Sequence, residues 1–271
     1  MDQHPIVARL KSLLQGNIPF VAFKKPNETK VCMYSGRDKR LHAINFKNHE
    51  NPINGFVFAP FDTEKQAIVF PLNAFDVTEF HFFPSEGLET ANQNLSEENH
   101  DKQGHIQRVE KAVEAIRNSD FSKVVLSRTI EVDAPESAEV LFLRLLNNYQ
   151  DAFVYLWFHP EIGLWLGATP ETLIAVKYNR LKTMSLAGTQ AYSGSLEVVW
   201  GSKELEEQHL VTQYIVSKLA DSGCQNIQIG QTQTVRAGKL LHLKNDIVAE
   251  VNSTQLVNLI RSLHPTPAVC G

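Results

Sequence analysis

Two apolar runs, residues 152–159 and 164–168, are separated by the short turn Pro-Glu-Ile-Gly. Strand-forming residues on both sides of a four-residue turn predict a β-hairpin. An isolated hairpin is only marginally stable in water, so further strands or helices must cover its apolar face. This feature therefore requires a sheet with antiparallel strands, and the rest of the chain must supply the segments that pack on it.

The first 103 residues predict one helix followed by a series of strands. Short apolar runs alternate with turn residues between positions 18 and 83, which is typical of strands joined by loops. Residues 84–103 are polar and nearly free of large apolar side chains, so they predict a surface loop. This loop divides the chain into a β-rich part, residues 1–103, and a longer part, residues 104–271. The predicted helix has five apolar residues on one face: Ile6, Val7, Leu10, Leu13 and Leu14.

The longer part alternates helices with strands. Apolar residues recur at helical spacing within residues 105–120, 137–151 and 202–223. β-Branched residues predict a strand at 121–132, and residues 171–190 predict two strands joined by Lys-Tyr-Asn-Arg. Antiparallel strands with helices set between groups of them predict an α+β fold.

Composition and charge exclude several classes of protein. A chain of 271 residues that is 43% hydrophobic and 21% charged can bury a sizeable core. The net charge of −4 argues against general nucleic-acid binding. No run of about 18 apolar residues exists, so no membrane span is expected. Cys32, Cys224 and Cys270 are far apart and form no CxxC pair, which favours a reduced, cytoplasmic protein.

Four features contain residue types that could carry chemistry. Lys123 lies in the predicted strand, and Glu171 follows a proline between two apolar runs. Glu204 and Glu207 are three residues apart and therefore share one face of the predicted helix. The small residues Leu-Ala-Gly-Thr at positions 186–189 predict a turn whose backbone amides can approach an anion.

Each feature also has an ordinary structural explanation. Lysines at the start of strands and glutamates on helices are usually solvated. Ala-Gly turns are common, and a glutamate after proline can simply begin a strand. Residue spacing by itself therefore suggests no more than an acid–base site assisted by magnesium.

Six segments stand out in order along the chain: FSKVVLSR, LGATPETLIAV, LKTMSLAGT, SKELEEQHLV, LLHL and LHPTPAVCG. Their order and intervals resemble the chorismate-utilising enzymes, most closely the isochorismate synthases. The resemblance covers residues 105–271 well, whereas the N-terminal third resembles the variable region of that family only loosely. It implies an α+β fold with large antiparallel or mixed sheets flanked by helices.

At two positions, this chain has the residues that are typical of the family members that add water. Members that use ammonia usually have glutamine where Lys123 stands, and aminodeoxychorismate synthases usually have lysine where Ala187 stands. The resemblance therefore implies a reversible, Mg²⁺-dependent conversion of chorismate to isochorismate, serving menaquinone or catecholate siderophore synthesis. Two alternatives stay open: a salicylate synthase, which shares the lysine, and a chorismate-binding protein without catalytic activity.

The resemblance also implies a role for each candidate residue. Lys123 would be the general base that activates water, and Glu171 the general acid that protonates the departing C4 hydroxyl. Glu207 would bind Mg²⁺ beside the ring carboxylate of the substrate, with Glu204 assisting directly or through water. The implied substrate-lining positions are Leu186, Gly188, Thr189, His242 and Ala268.

Members of the family continue beyond the segment that resembles residues 263–271. We therefore expect the chain to be a fragment that lacks the family's C-terminal strands and most of its magnesium ligands. Unpaired strand edges and exposed apolar surface favour association. The expectation for the 271 residues alone is self-association or low stability, without turnover of chorismate.

Overall fold

A computed structural model describes residues 4–49, 53–85, 102–252 and 256–270. The chain forms two compact units, Met1–Ala91 with Ala134–Glu171, and Asn92–Asp133 with Thr172–Gly271. The sequence division at residue 103 does not coincide with these units, because residues 134–171 fold with the N-terminal strands. Most of the predicted loop at 84–103 lies outside the described residues, so it stays a prediction.

The elements are numbered in chain order within the described residues. The helices are α1 (Pro5–Gln15), α2 (Lys102–Arg117), α3 (Ala138–Asn148), α4 (Ser202–Asp221) and α5 (Leu256–Leu263). The strands of the first unit are β1 (Phe20–Lys24), β2 (Lys30–Gly36), β3 (Ala43–Ile44), β4 (Gly55–Phe58), β5 (Ala67–Pro71), β6 (Phe75–His81), β7 (Phe153–His159) and β8 (Gly163–Thr169). Those of the second unit are β9 (Ala175–Lys177), β10 (Arg180–Ala191), β11 (Gln225–Ile229), β12 (Gln233–Ala237) and β13 (Leu240–Glu250). Among all the described residues, no helix is both long enough and apolar enough to cross a membrane.

The first unit is built on an antiparallel sheet in the order β6-β2-β1-β7-β8. The predicted hairpin is confirmed as β7 and β8, with Trp157 opposite Trp165. The predicted N-terminal helix is also confirmed as α1, whose residues Ile6 and Leu10 are fully buried. Helices α1 and α3 contribute to one apolar core, and the three-stranded sheet β3-β5-β4 contributes to another that contains Trp157. The α+β class predicted from the sequence is therefore confirmed.

The second unit is built around the long antiparallel pair β10 and β13. The other edge of β13 pairs with β11 and β12, while the short β9 pairs with the start of β10. Helix α4 packs on this sheet because Val211, Ile215 and Leu219 recur at helical spacing and are buried. Helix α5 contributes Leu259 and Leu263 to the same core. This sheet and α4 position most of the predicted site residues.

Of the two predictions for residues 102–133, the helix is confirmed and the strand is wrong. Residues 121–132 form no strand, so Lys123 does not lie within one. Helix α2 is present as predicted, but none of its described residues is buried, and Val109 and Val113 remain exposed. A β-branched run forms a strand only when another strand offers hydrogen-bond partners, and no strand within the described residues pairs with this segment.

Candidate active site

The side chain of Lys123 connects three parts of the second unit. It is 11% exposed, and its Nζ lies 3.6 Å from Glu207 Oε1 on α4. The same Nζ donates a hydrogen bond to the carbonyl oxygen of Pro267, in the turn that follows α5. The structure therefore brings Lys123, Glu207 and the turn that contains Ala268 together, although the backbone at Lys123 is irregular.

The turn after α5 is held in place by Tyr214, a residue that the sequence analysis did not identify. The Tyr214 hydroxyl lies 3.3 Å from the carbonyl oxygen of Ser262 and 3.2 Å from that of Pro265. A tyrosine hydroxyl is protonated at neutral pH, and burial raises the pKa of Tyr214 further, with a smaller contribution from Cys270. Half-buried Ala268 packs against the apolar core of this unit. No sequence pattern distinguishes Tyr214 from other half-buried helical tyrosines.

The predicted turn at residues 186–189 is instead a bulge within β10. The register to β13 shifts between Ala187 and Thr189, and Gly188 has a φ of +73°. A Cβ atom at Gly188 would lie 3.2 Å from the Cβ of Glu204 and 3.4 Å from Leu243 Cδ1. Both the left-handed backbone and the close approach of α4 favour glycine here. The turn prediction was wrong because small residues alone do not distinguish a turn from a bulge.

His242 lies beside this bulge on the neighbouring strand. Its Nδ1 is 3.0 Å from the carbonyl oxygen of Gly188 and 3.3 Å from Thr189 Oγ1. Thr189 and His242 are opposite each other in the strand register, which explains why their side chains meet. Leu186, two residues before Gly188, is half-buried. The structure therefore places Leu186, Gly188, Thr189 and His242 in one part of the sheet.

Glu204 lies at the N-terminal end of α4, where it has a structural explanation of its own. A Cβ atom at the helix cap, Gly201, would lie 2.7 Å from Glu204 Oε2, so the carboxylate folds back over the cap. A negative charge in the first turn interacts favourably with the helix dipole. Lys203 Nζ lies 3.8 Å from Glu204 Oε1, but that lysine is largely solvent-exposed.

Glu171 is the one predicted site residue that belongs to the first unit. It follows the end of β8, and its side chain is half-buried. Its backbone N–H donates to Thr169 Oγ1 over 3.4 Å. This local bond shapes the chain where β8 ends, and the role of Glu171 as a proton donor stays a prediction.

Residues 71–271 match the protein family described as chorismate binding enzyme, and this match covers well over half of the chain. The chain belongs to that family. The family resemblance predicted from the six segments is therefore confirmed.

Relatives within the chorismate-binding family have names that point to one activity. Isochorismate synthase MenF of Haemophilus influenzae is 28% identical over 174 residues, which are 60% of this chain and 40% of that protein. Isochorismate synthase MenF of Escherichia coli is 30% identical over 185 residues, 63% of this chain and 42% of that protein. The matches thus span less than half the length of these relatives.

A solved structure from Bacillus anthracis, named as a 2,3-dihydroxybenzoate-specific isochorismate synthase, has the same fold. It superposes with a TM-score of 0.74 at 20% identity, covering 96% of this chain and 77% of that one. Because identity is low, this likeness supports the fold rather than the activity. The predicted fold class, that of the isochorismate synthases, is confirmed.

The sequence resemblance led to the expectation of Mg²⁺, and the second unit contains the two carboxylates that were predicted to bind it. Glu204 and Glu207 carry carboxylates with side chains 21% and 26% exposed. Within the described ranges, no group of three or more His, Cys, Asp or Glu side chains could form a metal cage. Mg²⁺ is usually bound by one or two carboxylates together with water and substrate oxygens. Two carboxylates on one helix are within that number, and Mg²⁺ binding by Glu207 with Glu204 stays a prediction.

Proposed function

We propose that this protein is an isochorismate synthase, which converts chorismate reversibly to isochorismate. The observation that carries the proposal is the position of Lys123, little exposed and 3.6 Å from Glu207 Oε1. The curated relatives named isochorismate synthase support the same activity. The alanine at position 187 agrees, because the family resemblance associates a lysine there with a different nucleophile.

The proposed reaction adds one water and removes another. In its neutral amine form, Lys123 would take a proton from the attacking water, and a bond forms between the water oxygen and ring carbon C2. The ring double bonds shift, the C4–O bond breaks, and Glu171 donates its proton to the departing hydroxyl. The atoms balance, because the water that enters at C2 is matched by the water that leaves from C4.

The remaining residues would hold the substrate for this exchange. Glu207, with Glu204, would hold Mg²⁺, which when bound neutralises the ring carboxylate. Because the Gly188 carbonyl can only accept, the Nδ1–H of His242 donates to it, and the other ring nitrogen, Nε2, would be the one that faces substrate. Leu186, Thr189, His242 and Ala268 would line the ring.

Product analysis tests this proposal. The purified full-length protein would be incubated with chorismate, with and without MgCl₂, and the products separated by reversed-phase chromatography. We expect a mixture of chorismate and isochorismate that forms from either compound as the starting material and only when Mg²⁺ is present. The product would enter menaquinone or catecholate siderophore synthesis.

The same assay separates the alternatives. Salicylate with pyruvate would identify a salicylate synthase and contradict the proposed product. Unchanged chorismate, together with measurable chorismate binding, would indicate a binding protein without catalytic activity. Incubation with chelator in place of MgCl₂ is the control for turnover without the metal.

A further inference from the structure

Gln208 forms a buried polar link between α4 and the sheet of the second unit. It is 4% exposed and follows Glu207 directly in the sequence. Its Nε2 lies 3.2 Å from the carbonyl oxygen of Ser185, 2.9 Å from Ser185 Oγ and 2.8 Å from Asn245 Oδ1. One side-chain amide therefore connects the helix to both β10 and β13. Buried amides keep such bonds because an unsatisfied buried donor is costly.

The orientation of this amide is fixed by its neighbours. Asn245 Nδ2 donates to the carbonyl oxygen of Gly230 over 2.9 Å and lies 3.0 Å from Thr232 Oγ1. Because the Gly230 carbonyl can only accept, the Nδ2 of Asn245 must face it and Oδ1 must face Gln208. Gln208 consequently presents Nε2 to the sheet. A second link reinforces this one, since Ser185 Oγ lies 2.7 Å from Thr212 Oγ1 on α4.

This link lies next to the residues of the proposed site. Ser185, whose carbonyl receives the Gln208 amide, immediately precedes Leu186 and the bulge at Gly188. Glu204 and Glu207 are carried by the same two turns of α4 as Gln208. The helix also approaches the bulge closely, because a Cβ atom at Gly188 would lie only 3.2 Å from the Cβ of Glu204. A shift of α4 along β10 would therefore move both carboxylates relative to the backbone at residues 186–189.

We propose that Gln208 is a positioning residue, which fixes the two carboxylates of α4 against the β10 segment Leu186–Thr189. It acts through Glu207 and through the Ser185 carbonyl. The expected effect on the Mg²⁺ requirement for turnover rests on the proposed function. The expected effect on the backbone at residues 186–189 concerns the second unit alone. The network belongs to the second unit, so the proposal requires no geometry from the first.

Two substitutions by side chains of similar size test whether the hydrogen bonds of Gln208 position α4. Gln208→Glu would place carboxylate oxygens opposite two acceptors, the Ser185 carbonyl and Asn245 Oδ1, and should displace the helix. Gln208→Met would remove the donors without adding a charge. It would also remove Gln208 Oε1, which has no hydrogen-bond partner among the described residues, so it should cost less stability than the glutamate.

The experiment compares these variants in the full-length protein by three measurements. These are the thermal midpoint, hydrogen exchange of the amides of residues 186–189 without Mg²⁺, and the Mg²⁺ concentration for half-maximal turnover. We expect both variants to speed exchange at 186–189 at least about tenfold, because the link on which their protection depends is lost. We also expect them to raise the half-maximal Mg²⁺ concentration by at least about fivefold.

Two control substitutions on α4 distinguish an effect of the Gln208 hydrogen bonds from an added charge or a general loss of stability. Gln213→Glu introduces the same chemical change at an exposed position and should leave all three measurements unchanged. Val211→Ala removes buried apolar contact, so it should lower the thermal midpoint while leaving exchange at 186–189 and the Mg²⁺ requirement unchanged. The Val211 variant thus shows what a loss of stability alone produces.

The proposal would be overturned if the Gln208 variants behaved like Val211→Ala, with a lower midpoint and no change in exchange or Mg²⁺ requirement. Faster exchange at 186–189 with an unchanged Mg²⁺ requirement would also overturn it, because the carboxylates would then be held independently. If the wild-type protein made no isochorismate, the proposed function would fail by itself. Exchange in the Gln208 variants would in that case still decide whether the residue positions this segment.

Discussion

The second unit contains two regions with similar sequence patterns and different environments. In the β10–β13 pair, apolar residues alternate along each strand, and Leu181 and Ile247 are completely buried. In residues 121–133, β-branched residues are more frequent than in β10 or β13, yet Ile130 is 53% exposed and Val132 is 58% exposed. The difference shows that a strand-forming run acquires structure only where a partner strand and a covering helix are present.

Lys123 connects residues 121–133 to the rest of the second unit. Its backbone belongs to the unpaired segment, whereas its side chain bonds to Pro267 and lies beside Glu207. The paired region thus carries the proposed substrate-lining residues of β10 and β13, whereas the proposed general base lies in the segment without strand partners among the described residues.

Leu181→Ala tests the packing of the paired region. Leu181 is completely buried in the core under α4, so this change should lower the free energy of unfolding by about 2–5 kcal/mol. Urea denaturation followed by circular dichroism would measure the loss. A change below about 1 kcal/mol would mean that this core is looser than its burial indicates.

Lys123→Gln tests the chemical role of the residue where the regions meet. We expect turnover of chorismate by the full-length protein to fall at least about a hundredfold, the usual scale for removing a general base. The fold should persist, because the two side chains are of similar length. Lys111→Gln, on the exposed surface of α2, is the matched control and should retain full turnover. Near-normal turnover by Lys123→Gln would remove that lysine from the mechanism.

Glu207→Ala tests the proposed metal ligand. We expect a roughly tenfold higher Mg²⁺ concentration for half-maximal turnover, with a much smaller effect on the thermal midpoint. Glu206→Ala is the control, since Glu206 is its exposed neighbour on the same helix. An Mg²⁺ activation curve identical to that of the wild type would indicate that Glu207 serves only the ion pair with Lys123.

The features predicted from the sequence are those that depend on local spacing. Helix α1 and the β7–β8 hairpin follow from the periodicity of a dozen or so consecutive residues. The pairing of β1 with β7 joins residues 20–24 to residues 154–158, and no local pattern encodes such a distant contact. The predicted strand at 121–132 failed for the same reason, because its formation depends on pairing rather than on its own residues.

The candidate site was predictable in its residue types and less so in its geometry. Lys123 and Glu207 were identified from the family resemblance, and the structure places them 3.6 Å apart. The bulge at Gly188 was predicted as a turn, since both require a small residue with positive φ. Gln208 gave no signal, because a glutamine on a helix resembles a solvated residue unless the strands beneath it are known.

Ile130→Ala tests the unpaired segment and should have the smallest effect. Because Ile130 is more than half exposed, we expect the free energy of unfolding to change by less than about 0.5 kcal/mol. Urea denaturation under the conditions used for Leu181→Ala makes the two values comparable. A loss close to that of Leu181→Ala would show that the segment is packed in solution.

Hydrogen exchange followed by mass spectrometry on the 271-residue chain tests the contrast between these regions most directly. We expect peptides within β10 and β13 to exchange at least about a hundredfold more slowly than peptides within residues 121–133. The amide of Val125, which donates to the carbonyl oxygen of Cys270, is the expected exception in the fast segment. Equal protection of both regions would contradict the account, because residues 121–133 would then be paired.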